Sequence, residues 1–295
     1  MIIMIQDIGP YRLEERHIHG QQPDRESRIL YFLDDRVLIQ TDANNIFLPL
    51  KSDFGGTENF RYLFSIRSAD TQEAPVDYFL YPDPEAGGTA ESVIWPEERT
   101  FQMVGIRLLR NLSGKSGRNV FAIYTGWHLY RWYDAHRFCG RCGAKMMAYN
   151  TKRKLICPSC SMQVYPEIIP AVIVAVTDGN KILLTRNRRR PASYDSLIAG
   201  YMEVGETYEE TVKREVMEET GLRVRNIRYY KSQPWGISQA VMAGFFCEVD
   251  GSVEIRIEKD ELTKAVWTER AKVEPQIDDQ SLTNEMMMAF HDGNA

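Results

Sequence analysis

The chain has 295 residues, 43% of them hydrophobic and 26% charged, with a formal net charge of −5. That length admits two domains and a small third element, and the composition is ordinary for a soluble globular protein. The acidic balance argues against a surface that coats nucleic acid while leaving room for a single basic pocket, and no apolar run is long enough to cross a bilayer.

The N-terminal stretch MIIMIQDIGPYRLEERHIHG is briefly apolar. It has no basic n-region, sustained apolar segment or small-residue cleavage site, so no secretory signal is expected and the expected location is cytoplasmic. Residues 1–125 carry short alternating runs, among them Arg36–Gln40, Tyr62–Ile66 and Val120–Tyr124, separated by Gly, Pro and Asp clusters. This pattern predicts a strand-rich α+β N-terminal domain. Pro82, Pro84, Gly87 and Gly88 make Tyr78–Trp95 read as a loop.

Residues 126–165 form a linker helix, expected over Gly126–Phe138, and a cysteine module. Cys139, Cys142, Cys157 and Cys160 stand in a C-x2-C-x14-C-x2-C array, with Gly140 and Gly143 to let the backbone turn. Four thiolates in two knuckles mark a structural Zn²⁺ site. Disulfides are the alternative, disfavoured by the tandem spacing and the missing signal. His128 and His136 read as packing or capping groups, because four cysteines complete the metal site. Cys247, in an apolar stretch, reads as a buried thiol.

From residue 166 to 295 the pattern becomes α/β. Ile168–Val176 is a continuous apolar strand, Asp178-Gly179-Asn180 a turn, and Lys181–Thr185 the returning strand. Ser196–Ala199 leads into a loop and helix. Further strands are expected near Arg223–Lys231, Val241–Val249, Glu254–Ile257 and Ala265–Thr268, and a closing helix over Ser281–His291. The Arg186–Arg190 cluster reads either as a solvated loop or as a phosphate contact.

The helix after Gly200 carries the chemistry. Thr207 and Glu210 have capping-box spacing, Gly221 suits a helix C-terminus, and Val212 and Val216 mark the buried stripe. At about 100° per residue, Glu215, Glu218 and Glu219 share an arc of roughly 100° beside that stripe. Carboxylates crowded together repel unless a cation joins them, and hard oxygens suit Mg²⁺ or Mn²⁺. A solvated acidic face is the bland alternative.

Gly200, Glu206, Arg214-Glu215, Glu218-Glu219 and Gly221-Leu222 fill the pattern G-x5-E-x7-R-E-U-x-E-E-x-G-U, where U is aliphatic. The stretch therefore resembles the Nudix hydrolases. A four-cysteine ribbon directly before such a domain, itself preceded by another domain, resembles the NADH pyrophosphatase branch over essentially the whole chain. Ser232-Gln233-Pro234-Trp235 repeats the first four residues of that branch's S-Q-P-W-P-F-P-x-S motif. Gly236, Ile237, Ser238, Gln239 and Ala240 then replace the remainder. Gly236 is expected to loosen this loop, and Ile237 cannot stack as Phe does.

The resemblance implies an α/β/α sandwich for residues 166–295, with Mg²⁺ or Mn²⁺ held by Glu215, Glu219, the carbonyl of Ala199 and Glu261. Glu218 would complete the carboxylate cluster, and Arg214, paired with Glu206, would orient it. Implied substrate contacts are Tyr165, Tyr201 and the loop from Gln233 through Pro234, Trp235, Gly236, Ile237, Ser238 and Gln239 to Ala240; ordinary core packing is the alternative for the two tyrosines. Lys152 stands where the family has an acidic contact. The implied reaction splits NADH or NAD⁺ into nicotinamide mononucleotide and AMP, with ADP-ribose or the NAD cap of RNA as alternative substrates. A homodimer is implied as well. A non-catalytic ligand sensor would lose box glutamates and add a DNA-binding helix-turn-helix. This chain does neither, so no DNA partner is expected.

Overall fold

The computed structural model describes residues 4–42, 45–54, 59–84, 101–109, 117–188, 194–258, 260–276 and 280–295. They form two compact units: an N-terminal unit of residues 7–167 with Gly236–Gln239, and a C-terminal unit of residues 4–6, Ile168–Trp235 and Ala240–Ala295.

The N-terminal unit holds β1 (Tyr11–Glu14), β2 (Arg28–Leu33), β3 (Arg36–Thr41), β4 (Ile46–Phe47), β5 (Arg61–Ser68), β6 (Val76–Tyr81) and β7 (Gln102–Gly105). They make one sheet in the order β1-β5-β6-β2-β3-β4, with β7 on β3. The expected loop over Tyr78–Trp95 is therefore corrected at its start. Tyr78, Phe79 and Leu80 are fully buried strand residues, and the prolines that suggested a loop begin only after them; residues 85–95 lie outside the described residues.

Helix α1 (Gly117–Ala135) corrects two further expectations. Val120–Tyr124 is helical rather than strand, and the helix expected to start at Gly126 starts at Gly117. The helix is apolar around most of its circumference, as a buried helix is, so the strand-like alternation carried no period. Gly126, which reads as the start of the helix, sits where a Cβ would overlap the Leu30 side chain. It is a close-approach glycine inside the helix. Next come β8 (Met147–Ala148), β9 (Leu155–Ile156) and β10 (Gln163–Val164), a three-stranded sheet in the order β10-β9-β8.

The C-terminal unit contains β11 (Ile169–Asp178), β12 (Lys181–Asn187), β13 (Ile198–Tyr201), α2 (Tyr208–Thr220), β14 (Val224–Trp235), β15 (Ala240–Val249), β16 (Leu262–Glu269) and α3 (Leu282–His291). The sheet runs β14-β15-β11-β12-β16, with β13 on β11, and β11 lies parallel to β15. The apolar run of β11 serves both faces, as a central strand must. Val172, Val174 and Val176 join Val212 and Val216 of α2, whereas Ile173 and Ala175 join Met286 and Phe290 of α3. This is the expected α/β/α sandwich. Met4 belongs to the second of these cores.

The strand expected at Glu254–Ile257 does not form. Its alternation is real, but its amides cap a helix instead. Arg256 N–H donates to Thr220 O (2.9 Å) and Glu258 N–H to Glu219 O (3.0 Å), satisfying carbonyls that the end of α2 leaves open.

Candidate active site and metal centre

The sequence of α2 sets its own limits. Thr207 accepts from Glu210 N–H while Glu210 accepts from Thr207 N–H, and Gly221 takes a left-handed conformation (φ 71°) as its N–H returns to Met217 O. Between these caps, Val212 and Val216 turn fully into the core and drag their neighbours toward it. Glu215 and Glu219 are only 8% and 4% exposed, whereas Glu218 is exposed. Two of the three box glutamates are thus buried carboxylates, which excludes a solvated acidic face.

Gly200 on β13 explains how Glu215 fits. A Cβ there would overlap the Glu215 carboxyl group, so the glycine provides the space in which that side chain lies. Burial raises the Glu215 carboxyl above its ordinary range, against the opposing hydrogen bond from Arg214. The nearby charges of Glu218 and Glu261 push in the same direction as burial, which places Glu261 in the electrostatic surroundings of the box. Glu261 O accepts from Arg188 N–H (2.7 Å). Ala199 pairs with Ile173 in the β11–β13 register.

Arg214 is the hub. Its Nε donates to Glu206 Oε1 (2.6 Å), its Nη1 to Glu215 Oε1 (2.8 Å) and Glu218 Oε2 (3.0 Å), and its Nη2 to Glu206 Oε2 (2.9 Å) and Tyr201 O (2.9 Å). A rigid guanidinium fork saturated in this way fixes the glutamates relative to β13. The Tyr201 carbonyl is a main-chain acceptor, so no side-chain pattern announces it. Arg214, with help from the Glu203 amide, holds the Glu206 carboxyl down at about 2 from an ordinary 4.5.

A depressed carboxyl contributes stability that is complete above its unfolded value and is lost as pH falls toward its folded value. Denaturation of metal-free wild type and Glu206→Gln should therefore give midpoints that differ at pH 6 and converge between about pH 4.5 and pH 2. A gap independent of pH would show that Glu206 acts through shape rather than charge.

The four cysteines converge. Cys139 and Cys160 Sγ are 3.6 Å apart, Cys142 and Cys157 Sγ 3.5 Å, and all four sulfurs lie within 4.8 Å of one another. A tetrahedral zinc with Zn–S of about 2.3 Å sets S···S at about 3.8 Å, so the set fits the ion. Among the described residues it is the one group of three or more His, Cys, Asp or Glu drawn this close. The knuckles repeat one hydrogen-bond ring. Cys139 N–H donates to Ala144 O and Gly143 N–H returns to Cys139 O; Cys157 N–H donates to Met162 O and Ser161 N–H returns to Cys157 O. Gly143 (φ 75°) and Ser161 (φ 59°) take the left-handed turn. The Arg141 amide lowers the Cys139 thiol to about 6. Cys142, although the Ala144 amide lowers it, is pushed up to about 12 by the neighbouring sulfurs and burial. Such crowding calls for a cation. His128 and His136 take no part: Nε2 of His128 donates to Glu167 O and Nδ1 of His136 to Trp132 O. Cys247 is a buried thiol, as expected.

Comparison with known proteins agrees with this geometry. Residues 168–289 match the NUDIX domain, and residues 134–165 match the NADH pyrophosphatase zinc ribbon domain. A protein of Salmonella heidelberg named NAD-capped RNA hydrolase NudC is 36% identical over 203 residues, which cover 69% of this chain and 71% of that protein. The protein of the same name from Escherichia fergusonii is 32% identical over 243 residues, 81% of this chain and 87% of its own length. The chain belongs to the Nudix hydrolases.

Within this Nudix chain the S-Q-P-W segment is built differently from expectation. Gln233 is 1% exposed, and its amide is used inside the unit: Nε2 donates to Gln280 O (2.8 Å) and Gln6 Oε1 (3.2 Å), while Oε1 accepts from Leu282 N–H (2.8 Å). Gln233 therefore clamps the start of α3. Pro234 and Trp235 continue β14, paired with Val241 and Ala240 of β15, and Ala240 is buried. Gly236–Ser238 form a 3-10 turn in which Ile237 and Ser238, like Gln239, are half-buried.

Gly236 is buried against the backbone of Tyr124 in α1, where a Cβ would overlap the Tyr124 carbonyl. It does not loosen the loop; it lets the turn seat on a helix. Helix backbone cannot yield as a side-chain tip can, so Gly236→Ala should cost about 1–3 kcal/mol. Denaturant titration is the check, and an unchanged midpoint would remove this role. Proline at 236 meets the same obstacle.

Tyr201 and Tyr165 are each about half exposed, at 51% and 52%. Tyr165 borders an open groove of about 530 Å³ in the N-terminal unit, together with Phe138, Met162 and Glu167. Of the arginine cluster, Arg186 is engaged by Asp195 (2.6 Å), which also binds Lys264; residues 189–190 lie outside the described residues.

Proposed function

We propose that this Nudix hydrolase splits the pyrophosphate bond of NAD(H), free or as the 5′ cap of RNA, releasing nicotinamide mononucleotide and AMP or AMP-ended RNA. The observation that carries this reading is the presence in one chain of an NADH pyrophosphatase zinc ribbon and a complete Nudix helix in which Glu215 and Glu219 are buried and Arg214 braces Glu215 and Glu218. The names of its relatives support the capped-RNA part.

In this reading Glu215, Glu219, the Ala199 carbonyl and Glu261 would hold Mg²⁺ or Mn²⁺, which would neutralise the diphosphate and lower the pKa of the attacking water. Buried, hard oxygen donors beside Gly200 suit such an ion. Arg214 fixes Glu215 and Glu218, and Glu206 anchors Arg214. Water attacks one phosphorus, the bridging P–O bond breaks, and the bridging oxygen leaves on the other phosphate. Tyr165, Tyr201 and the exposed part of the Pro234–Gln239 loop are proposed to meet the nucleotide. We also propose a cytoplasmic homodimer with functional divisions near residues 125 and 165. No helix among the described residues is long and apolar enough to cross a membrane.

The test is a substrate panel of NADH, NAD⁺, ADP-ribose and NAD-capped RNA with Mg²⁺ or Mn²⁺, with Glu219→Gln as control. Nicotinamide mononucleotide and AMP should appear with wild type and nearly vanish with the variant. Preference for ADP-ribose, or full activity in Glu219→Gln, would overturn the reading.

A further inference from the structure

Residues 4–6 belong to the C-terminal unit, far in sequence from everything they touch there. Met4 and Ile5 are 5% and 4% exposed, and Met4 lies in the core with Met286 and Phe290. That burial anchors the strap. Gln6, the next residue, turns its carboxamide to the S-Q-P-W segment. Its Nε2 donates to Ser232 O (3.1 Å) and Met4 Sδ (3.5 Å), while its Oε1 accepts from Gln233 Nε2 (3.2 Å). The main chain adds a third link, because Ile5 N–H donates to Gln280 O (3.3 Å), the same carbonyl that takes Gln233 Nε2 (2.8 Å). A donor and an acceptor thus serve two consecutive residues of the motif, and a carboxamide carries both.

The segment they hold needs outside support. β14 is an edge strand, paired with β15 alone among the described residues. Its ladder slips between Tyr229 and Ser232, then resumes with Ser232, Gln233, Pro234 and Trp235 opposite Ala243, Met242, Val241 and Ala240. Pro234 brings no N–H to that ladder. A short piece of edge strand beyond an irregularity is the kind of element that opens locally.

We infer that Gln6 is a positioning residue for nucleotide recognition. By fixing Ser232 and Gln233 it holds the start of the loop of residues 234–239 in one place, so that a dinucleotide does not have to order the loop as it binds. A protein that holds its competent loop only part of the time binds more weakly by that fraction. The chemistry of the bound state is untouched. Plain fold support is the alternative, yet Met4 and Ile5 already supply the burial, and an apolar side chain after them would serve stability as well as glutamine does. The inference rests on the assignment of this loop to the nucleotide of NAD(H), and its test separates the two.

The experiment compares Gln6→Leu, Gln6→Glu and Phe290→Leu with wild type in the full-length, zinc-loaded protein. It reads steady-state kinetics on NAD⁺ at saturating Mg²⁺ or Mn²⁺, and hydrogen exchange without substrate. Gln6→Leu removes both motif bonds and should raise KM about tenfold, the worth of two ordinary hydrogen bonds, with kcat within about twofold of wild type. Gln6→Glu keeps the acceptor but cannot donate to Ser232 O, so it should raise KM as well. Exchange over residues 232–235 should quicken about tenfold in Gln6→Leu while that of α2 stays as in wild type. Phe290→Leu weakens the same core away from the carboxamide; it should lower the thermal midpoint and leave KM unchanged. Wild-type KM in Gln6→Leu would overturn the proposal. So would an equal rise of KM in Phe290→Leu, which would reduce Gln6 to a contribution to stability, or a fall in kcat at unchanged KM, which would place its effect at the metal centre. If wild type leaves NAD⁺ and NADH intact but cleaves ADP-ribose, the NAD(H) reading fails, and the same KM comparison on ADP-ribose decides the role of Gln6.

Discussion

Gly200→Ala is expected to remove hydrolysis while sparing the fold. The added methyl group would occupy the place of the Glu215 carboxyl, the far end of a flexible side chain, so the chain can accommodate it by moving that side chain. The stability cost is small for the same reason, and moving a raised, buried carboxyl toward water offsets part of it. The chemistry has no such latitude. Displacement of a positioning group by about 1 Å costs about 100-fold in rate, and here a charged group leaves its site altogether. We expect kcat to fall by about 100- to 1,000-fold with a thermal midpoint within a few degrees of wild type. Activity close to wild type would mean that Glu215 need not occupy this space.

Removing the zinc site should have the largest structural effect. Each ribbon strand is two residues long, too short to persist on its own pairing. Structural zinc supplies about 10–16 kcal/mol in small domains, most of it folding free energy. Cys157→Ser, or prolonged chelation, should lower bound zinc from about one per chain to near none and expose residues 137–166 to protease. Zinc-free wild-type protein that kept the ribbon protected, or that carried two disulfides, would contradict this account.

Legibility differed by region because different physics governs each. The box helix could be read to within a residue at both ends, since Thr207, Glu210 and Gly221 act locally and leave a local signature. The cysteine array was equally plain, because ligand spacing is set by one ion. Two glycines were not legible: Gly126 reads as a helix start and Gly236 as a loosened loop, yet each lets a distant segment approach, and a close neighbour leaves no trace nearby in sequence. Gln233 illustrates the same limit. Its partners, Gln280 and Leu282, are about fifty positions away, so a motif match alone could not separate a clamp from a ligand contact. The irregular segment 252–258 failed for a different reason, since a strand-like pattern was satisfied by helix carbonyls instead of a neighbouring strand.

The ownership of short segments also sets the order in which this protein can be completed. The C-terminal unit needs Met4 in a core with Phe290, and the N-terminal unit needs Gly236 against Tyr124. On a ribosome delivering the chain from its N-terminus, residues 7–167 emerge first but wait for their last piece until the turn at 236 has been made. Met4 waits longer still, until the final helix appears. Closing loops this long costs only slowly growing entropy but delays the reward, so Met4 finds its place only after the residues that surround it in the C-terminal unit have been delivered.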